Sequence, residues 1–395
     1  MPPSSPKPQD RGEAHIQDRV RDRGDACPGA LRLHRADDGA LARLRVPTGV
    51  LTPRQVTVLA DAADRLGDGH LSLTSRGNIE LRGLGEGCGA GLAELLRAAG
   101  LLPASERHER VRNMVVSPLA GADVLAWARR LDELLCGADW TTGLSGRFLF
   151  AVDDGRGDAA ALAADVTLLA TPDGGALLRV ADRTYRVAAA DAPRAALAAA
   201  EAFLAAARDA GTGAWRVREL PPGQDVDVTE HLRRAALTAE PVPDAALPPG
   251  GPTPPGVLDD RTVSVLARLG RVTTDRFRAL LPADEVRVTP WRGFVLPGFP
   301  DRAAAEARLA ELDAAGFLTR ADSPWVGVTA CTGRPGCAKS LSDVRADARP
   351  LAGSPGLPVH WSGCARRCGH PQGAWVDAVA TAGGDYEVTT VTRDA

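Results

Sequence analysis

The chain has 395 residues, a formal charge of −3 and 44% hydrophobic residues. At roughly 100–200 residues per domain, that length predicts two to four domains with sizeable cores. Aromatic residues make up only 4%, so Leu, Val and Ala must fill those cores, and the near-neutral charge excludes a general nucleic-acid binder, which carries a basic excess.

Lysine is almost absent: Lys7 and Lys339 are the two copies, and the other 45 basic residues are arginine. Arginine's planar fork grips both oxygens of a carboxylate. No stretch approaches the roughly 20 continuous apolar residues that cross a bilayer, so no membrane partner is expected. Residues 1–26 lack an apolar signal region and read as a polar, disordered tail. These features predict a cytoplasmic protein. In that compartment seven cysteines argue for metal ligands or bystanders over disulfides.

The first predicted unit spans 27–104. LARLRVP reads as a strand and QVTVLADAADRLGDG as a helix. HLSLTSRGNIELRGL reads as two strands across a Gly-Asn turn, and AGLAELLRAAGLL as a second helix. Gly85, Gly87 and Ala90 mimic a dinucleotide fingerprint, but the α-β-β-α order makes a glycine-rich connection the better reading. A mixed α/β unit follows over 105–238. It closes on the helix APRAALAAAEAFLAAARDAG, with Asp191 as cap and Pro193 in its first turn. Residues 239–257 are Pro/Gly-rich and read as an extended linker.

The α-β-β-α order returns over 258–319. Thr289 to Arg292 aligns with Thr74-Ser75-Arg76, with one extra residue in the second copy. Both copies end in an Ala-Ala-Gly helix stop. In the last unit, 320–395, residues 325–333 match 111–121 and 376–387 match 165–176, without a closing helix. The pattern predicts an internal duplication.

Cys331, Cys337, Cys364 and Cys368 form C-x5-C, 26 residues, C-x3-C. Glycine, proline and arginine fill the gaps. Four thiolates suit zinc or an iron–sulfur cluster; the wide first pair favours the cluster. Cys27, Cys88 and Cys136 stand apart and read as bystanders.

This cysteine pattern, with a T-x-R turn in a duplicated half, resembles the nitrite/sulfite reductase superfamily. Within it, the run His360-Trp-Ser-Gly-Cys364-Ala-Arg-Arg-Cys368-Gly-His370-Pro371 and the turn Thr289-Pro290-Trp291-Arg292 are most similar to precorrin-3B synthases. The resemblance implies an α+β fold: two ferredoxin-like half-domains alternating with two mixed α/β domains about a pseudo-two-fold. It implies a 4Fe-4S cluster on the four cysteines and a mononuclear non-haem iron besides. Arg76, Arg112, Arg147 and Arg292 would bind the carboxylates of a tetrapyrrole. Lys339 and Arg366, within the cysteine motifs, would offset cluster charge or contact a carboxylate, and His370, flanking the second pair, is a candidate toward the iron with no ligand assigned.

The implied reaction is monooxygenation of precorrin-3A by dioxygen at C20, with γ-lactone closure to precorrin-3B. Electrons would come from an NADH-linked donor through a separate reductase. The reductases carry K-F-K where this chain has Arg147-Phe148-Leu149. One alternative is a sirohaem nitrite or sulfite reductase. Another is a non-catalytic four-cysteine metal scaffold.

Overall fold

The computed structural model describes residues 28–243, 245–351 and 356–392. The expected tail and Cys27 lie outside the described residues.

The first half contains β1 (His34–Ala36), β2 (Gly39–Leu44), β3 (Val50–Leu51), α1 (Pro53–Leu66), β4 (His70–Leu73), β5 (Ile79–Leu84) and α2 (Gly89–Ala98). Thr52 caps α1 by accepting the Gln55 N–H while Gln55 returns a bond to the Thr52 N–H, a full capping box. The first mixed unit contains β6 (Met114–Val116), α3 (Ala122–Gly137), β7 (Phe150–Asp153), β8 (Val166–Ala170), β9 (Ala176–Val180), β10 (Arg183–Val187), α4 (Ala192–Ala210), α5 (Val228–Arg234) and β11 (Ala239–Pro241). Asp191 occupies the N-cap position of α4, but its side chain does not cap the helix; it pairs with Arg194 at 3.2 Å.

The second half contains β12 (Gly256–Asp259), β13 (Thr262–Leu266), β14 (Arg271–Thr273), α6 (Thr274–Arg278), β15 (Val286–Val288), β16 (Gly293–Pro297) and α7 (Arg302–Ala314). The last unit contains β17 (Val328–Ala330), α8 (Val344–Asp347), β18 (Val359–Ser362), β19 (Trp375–Ala380) and β20 (Tyr386–Val391). Gly100 and Gly316 follow α2 and α7 with φ of 69° and 89°, a conformation that only glycine adopts without strain, so both helix stops behave as expected. No helix among the described residues is long and apolar enough to cross a membrane.

The half-domains are not separate bodies. Their sheets run β1-β2-β5-β4-β14 and β12-β13-β16-β15-β3, so each half lends the other a strand. Antiparallel β14 closes on β4, and β3 on β15. One apolar core then serves both, from Val56, Leu59 and Ile79 to Phe277, Phe294 and Leu312. Arg278 reinforces the junction with Asp61 and Asp64 at 2.6 and 2.7 Å.

The mixed units share a topology. In β6-β7-β8-β9 the first two pairings are parallel and the third antiparallel; β17-β18-β19-β20 repeats this order and sense. The copies differ in what joins the strands. Between β6 and β7 runs the sixteen-residue α3, while the equivalent stretch between β17 and β18 carries the first cysteine pair and the four-residue α8. The stretch expected as a linker starts and ends in strands: β11 pairs with β10 and β12 with β13.

Candidate metal centre

The two cysteine pairs sit at the carboxyl ends of neighbouring parallel strands. Cys331 follows β17 directly, and Cys364 stands two residues beyond β18. Loops that bind ligands collect at such strand ends. The Cys331 N–H donates to the Trp361 carbonyl at 2.9 Å, and the Leu341 N–H to the Gly363 carbonyl at 2.8 Å, so the loops are tied together. The Gly363 N–H points at Cys331 Sγ, 3.3 Å away. No side chain fits at Gly363, because a β-carbon there would lie 1.8 Å from Ser340 Oγ.

All four cysteines are free thiols. Burial pushes the Cys331 thiol up; the Gly363 and Gly333 amides pull it down, and Cys364 and Cys337 push it up again. Cys368 is raised by burial and then by the other three cysteines, while Arg366 lowers it. The four sulfurs therefore share one electrostatic neighbourhood. Among the described residues, no three of these sulfurs lie within 4.8 Å of one another. Tetrahedral zinc with bonds of about 2.3 Å needs sulfurs about 3.8 Å apart. The four-thiolate donor set fits a thiolate-bound iron–sulfur cluster.

The T-x-R, R-N and G-R-F segments meet. Arg76 donates to the Arg147 carbonyl at 3.2 Å, Asn78 to Asn113 Oδ1 at 3.3 Å, and Asn113 to the Phe148 carbonyl at 2.9 Å. The Arg147 guanidinium lies over Trp215, 4.8 Å from the ring centre. Arg112 does not join them. It grips Asp132 of α3 with two bonds of 2.7 and 2.5 Å, its side chain only 12% exposed. That bidentate pair uses the fork a substrate carboxylate would need, so in this structure Arg112 braces the unit.

The two T-x-R turns have the same length. In each, the threonine N–H donates to the carbonyl four residues on (Asn78 or Gly293) at 2.9 Å, and its hydroxyl accepts that residue's N–H at 3.1 Å. The expected extra residue is absent. Gly77 (φ 65°) matches Arg292 (φ 61°), and Trp291, not Arg292, is the counterpart of Arg76. A left-handed arginine costs roughly 1–2 kcal/mol. This backbone sends Arg292 to the Gly369 carbonyl at 2.8 Å, just beyond Cys368. Burial depresses its pKa, opposed by the charge of Glu80.

Lys339 and Arg366 are exposed. The His370 ring stacks on Trp375 at 4.7 Å, and its Nδ1 lies 2.7 Å from the Pro371 carbonyl. His360 is fully buried with Nδ1 2.8 Å from Thr329 Oγ1; burial, then Arg292 and His370, lower its pKa to about 3, so the ring is neutral. Among the described residues, the one trio of His, Cys, Asp or Glu with ligand atoms within 4.8 Å is Asp153, Asp154 and Asp158. It contains no histidine, and the Asp153 carboxylate is occupied by the N–H groups of Gly155, Gly157 and Ala160. The residues around the cysteines therefore do not fit the mononuclear iron that the resemblance implied. Cys136 lies in α3, its thiol pushed to about 11 by burial and Asp132; with half-buried Cys88 it stays a bystander.

Sequence reading missed the wall behind the first pair. Arg82 binds Asp38 through bonds of 3.0 and 2.9 Å and the Gly336 carbonyl at 2.9 Å, locking the 331–337 loop to β5. Alternation along IELRGL places Arg82 on the polar face, which was the available signal. Arg345 of α8 and the Arg367–Asp377 pair carried no such signal.

Residues 33–99 match the nitrite/sulfite reductase ferredoxin-like half domain. The chain is 30% identical over 387 residues to a ferredoxin–nitrite reductase of Synechococcus elongatus, covering 84% of this chain and 74% of that one. The chain belongs to the nitrite/sulfite reductase family. It is also 27% identical over 373 residues to a precorrin-3B synthase of Sinorhizobium sp, covering 88% and 78%. The structure of Mycobacterium tuberculosis NirA shares the fold with a TM-score of 0.64 at 18% identity, over 89% of this chain and 73% of that one. Both relatives of this family are named as enzymes.

Proposed function

We propose that the chain is an oxygen-dependent precorrin-3B synthase: it inserts one oxygen atom at C20 of precorrin-3A, and the ring-A acetate closes a γ-lactone. Two electrons and two protons send the second oxygen atom of dioxygen to water. An NADH-linked donor acting through a separate reductase supplies the electrons in a cytoplasmic setting. The observation that carries the reading is the convergence of four free thiols at two strand ends, next to Arg292 of the second turn. A 4Fe-4S cluster bound by Cys331, Cys337, Cys364 and Cys368 supplies single-electron transfer.

Arg76 and Arg147 are assigned to carboxylates on the ring rim and Arg292 to one beside the cysteines. Each such contact is worth on the order of 1.5–3 kcal/mol, so several together orient the ring. The position of the second reductase lysine supports the ring itself as substrate. Leu149 is 3% exposed and packs with Val115, Ala151 and Ala159. It offers no cation for binding or protonating a small anion.

A second reading is a sirohaem nitrite or sulfite reductase, favoured by the 30% identity to the cyanobacterial enzyme. Anaerobic reconstitution with iron and sulfide, then incubation with precorrin-3A, reductant and air, separates the two. The expected result is a broad violet shoulder without haem bands and a product one oxygen atom heavier by mass spectrometry. Strong haem bands with nitrite or sulfite consumption and an unchanged precorrin mass select the reductase.

A further inference from the structure

We infer that Arg345 is the charge partner of the cysteine centre and raises the potential at which that centre accepts an electron. The inference rests on the cluster reading above. Arg345 lies in α8, on the chain segment between the two cysteine pairs. Its Nε reaches the Cys331 carbonyl at 3.4 Å, and among the described residues no carboxylate pairs with it.

The neighbouring cations are different. Arg82 is neutralised by Asp38 at 2.9 Å, Arg271 by Asp68 at 2.6 Å, and Arg43 by Glu80 at 2.6 Å. Arg345 is a guanidinium beside Cys331 that has no carboxylate partner among the described residues. Arg82 and Arg271 press on it electrostatically, and Glu80 and Cys331 are the negative groups that support it. With a cluster bound, the cysteine thiolates are the anion beside Arg345.

The physical consequence follows from charge. A cluster held by four thiolates is anionic, and one-electron reduction adds a further negative charge. A buried cation stabilises the reduced form more than the oxidised form, because the interaction is weakly screened away from water. Net charge, hydrogen bonds to the sulfurs and solvent exposure are the protein's main controls on such potentials. Arg366 is an internal contrast: it is adjacent to the second pair but exposed, so solvent screens it.

The test is a redox titration of the reconstituted full-length chain, followed by visible absorbance and the electron-resonance signal of the reduced state. Iron and sulfide are assayed in parallel. Arg345→Gln is expected to shift the midpoint to lower potential, Arg345→Lys to stay near the native value, and Arg366→Gln to shift it less than Arg345→Gln does. An Arg345→Gln midpoint equal to the native one overturns the inference and leaves the cluster reading standing. If Arg345→Gln fails to hold iron, Arg345→Lys decides: a retained cluster with a near-native midpoint supports a charge role. Loss of iron there too, or a clearly displaced midpoint, overturns it. A native chain that takes up no iron and sulfide overturns this inference and the proposed function together.

Discussion

The two mixed units are built on the same four-strand plan, yet they are stabilised in different ways. In the first, 34 of the described residues form a buried apolar core beneath α3, α4 and α5, including eight alanines of α4 that let it pack closely. In the last, eight buried apolar residues form the core, with Trp361 the largest. Ser117 and Asp153 stand at the first unit's strand ends, where the last unit presents its cysteine loops. One copy devotes its connections to helices; the other carries its two cysteine pairs there. A sheet with so small a core depends on outside support. Here Arg82 supplies it through the Gly336 carbonyl.

The strongest test of that contrast is Cys364→Ser. It is expected to abolish cluster binding and turnover, and to make residues 331–368 the first site of proteolysis while the 105–238 unit stays protected. Metal assay and limited digestion with mass mapping check it; an iron-replete, active variant contradicts the assignment. The converse change removes packing from the first unit. Phe203 is 1% exposed, with its ring 4.8 Å from that of Phe148. Phe203→Ala should cost roughly 3–5 kcal/mol in denaturant unfolding while the cluster spectrum persists.

Arg112→Ala is expected to cost about 2–3 kcal/mol, because it strands Asp132 in a part-buried site. Ring affinity should stay unchanged, as measured by fluorescence quenching with a porphyrinogen-derived ligand. A large affinity loss would return Arg112 to the pocket.

The smallest effect concerns pH. Burial, together with Asp153 and Asp154, raises Asp158 to about 6, against hydrogen bonds from Ser117 and Ala159. The folded state therefore keeps a proton that the unfolded chain has lost. Stability falls as pH rises from about 4 to 6 and is level above that. Asp158→Asn should remove this slope. It should also make the chain more stable near neutral pH by on the order of 2 kcal/mol, with little difference at about pH 4, by urea midpoints at both.

Much of the candidate site was legible because cysteine chemistry is local in sequence: two short glycine-rich loops marked the candidate ligands before any fold was known. The arginines were less legible. With 45 of them, sequence position could not distinguish Arg76, tied to the Arg147 carbonyl, from Arg112, consumed by Asp132. The turn alignment failed by one residue because letters were matched. Hydrogen bonds align Arg292 with Gly77, a correspondence of backbone conformation that residue identity conceals.

By itself the sequence determined the duplication, the α-β-β-α order, the helix stops at Gly100 and Gly316, and the four cysteines as candidate donors. Each depends on periodicity, backbone conformation or side-chain chemistry within a short window. Only the tertiary structure decided the exchange of β3 and β14 between halves, the merging of two cores into one, and the placing of Arg345 beside Cys331. Those features join residues far apart in the chain. Their partners are selected by packing and charge balance in three dimensions, which no local pattern records.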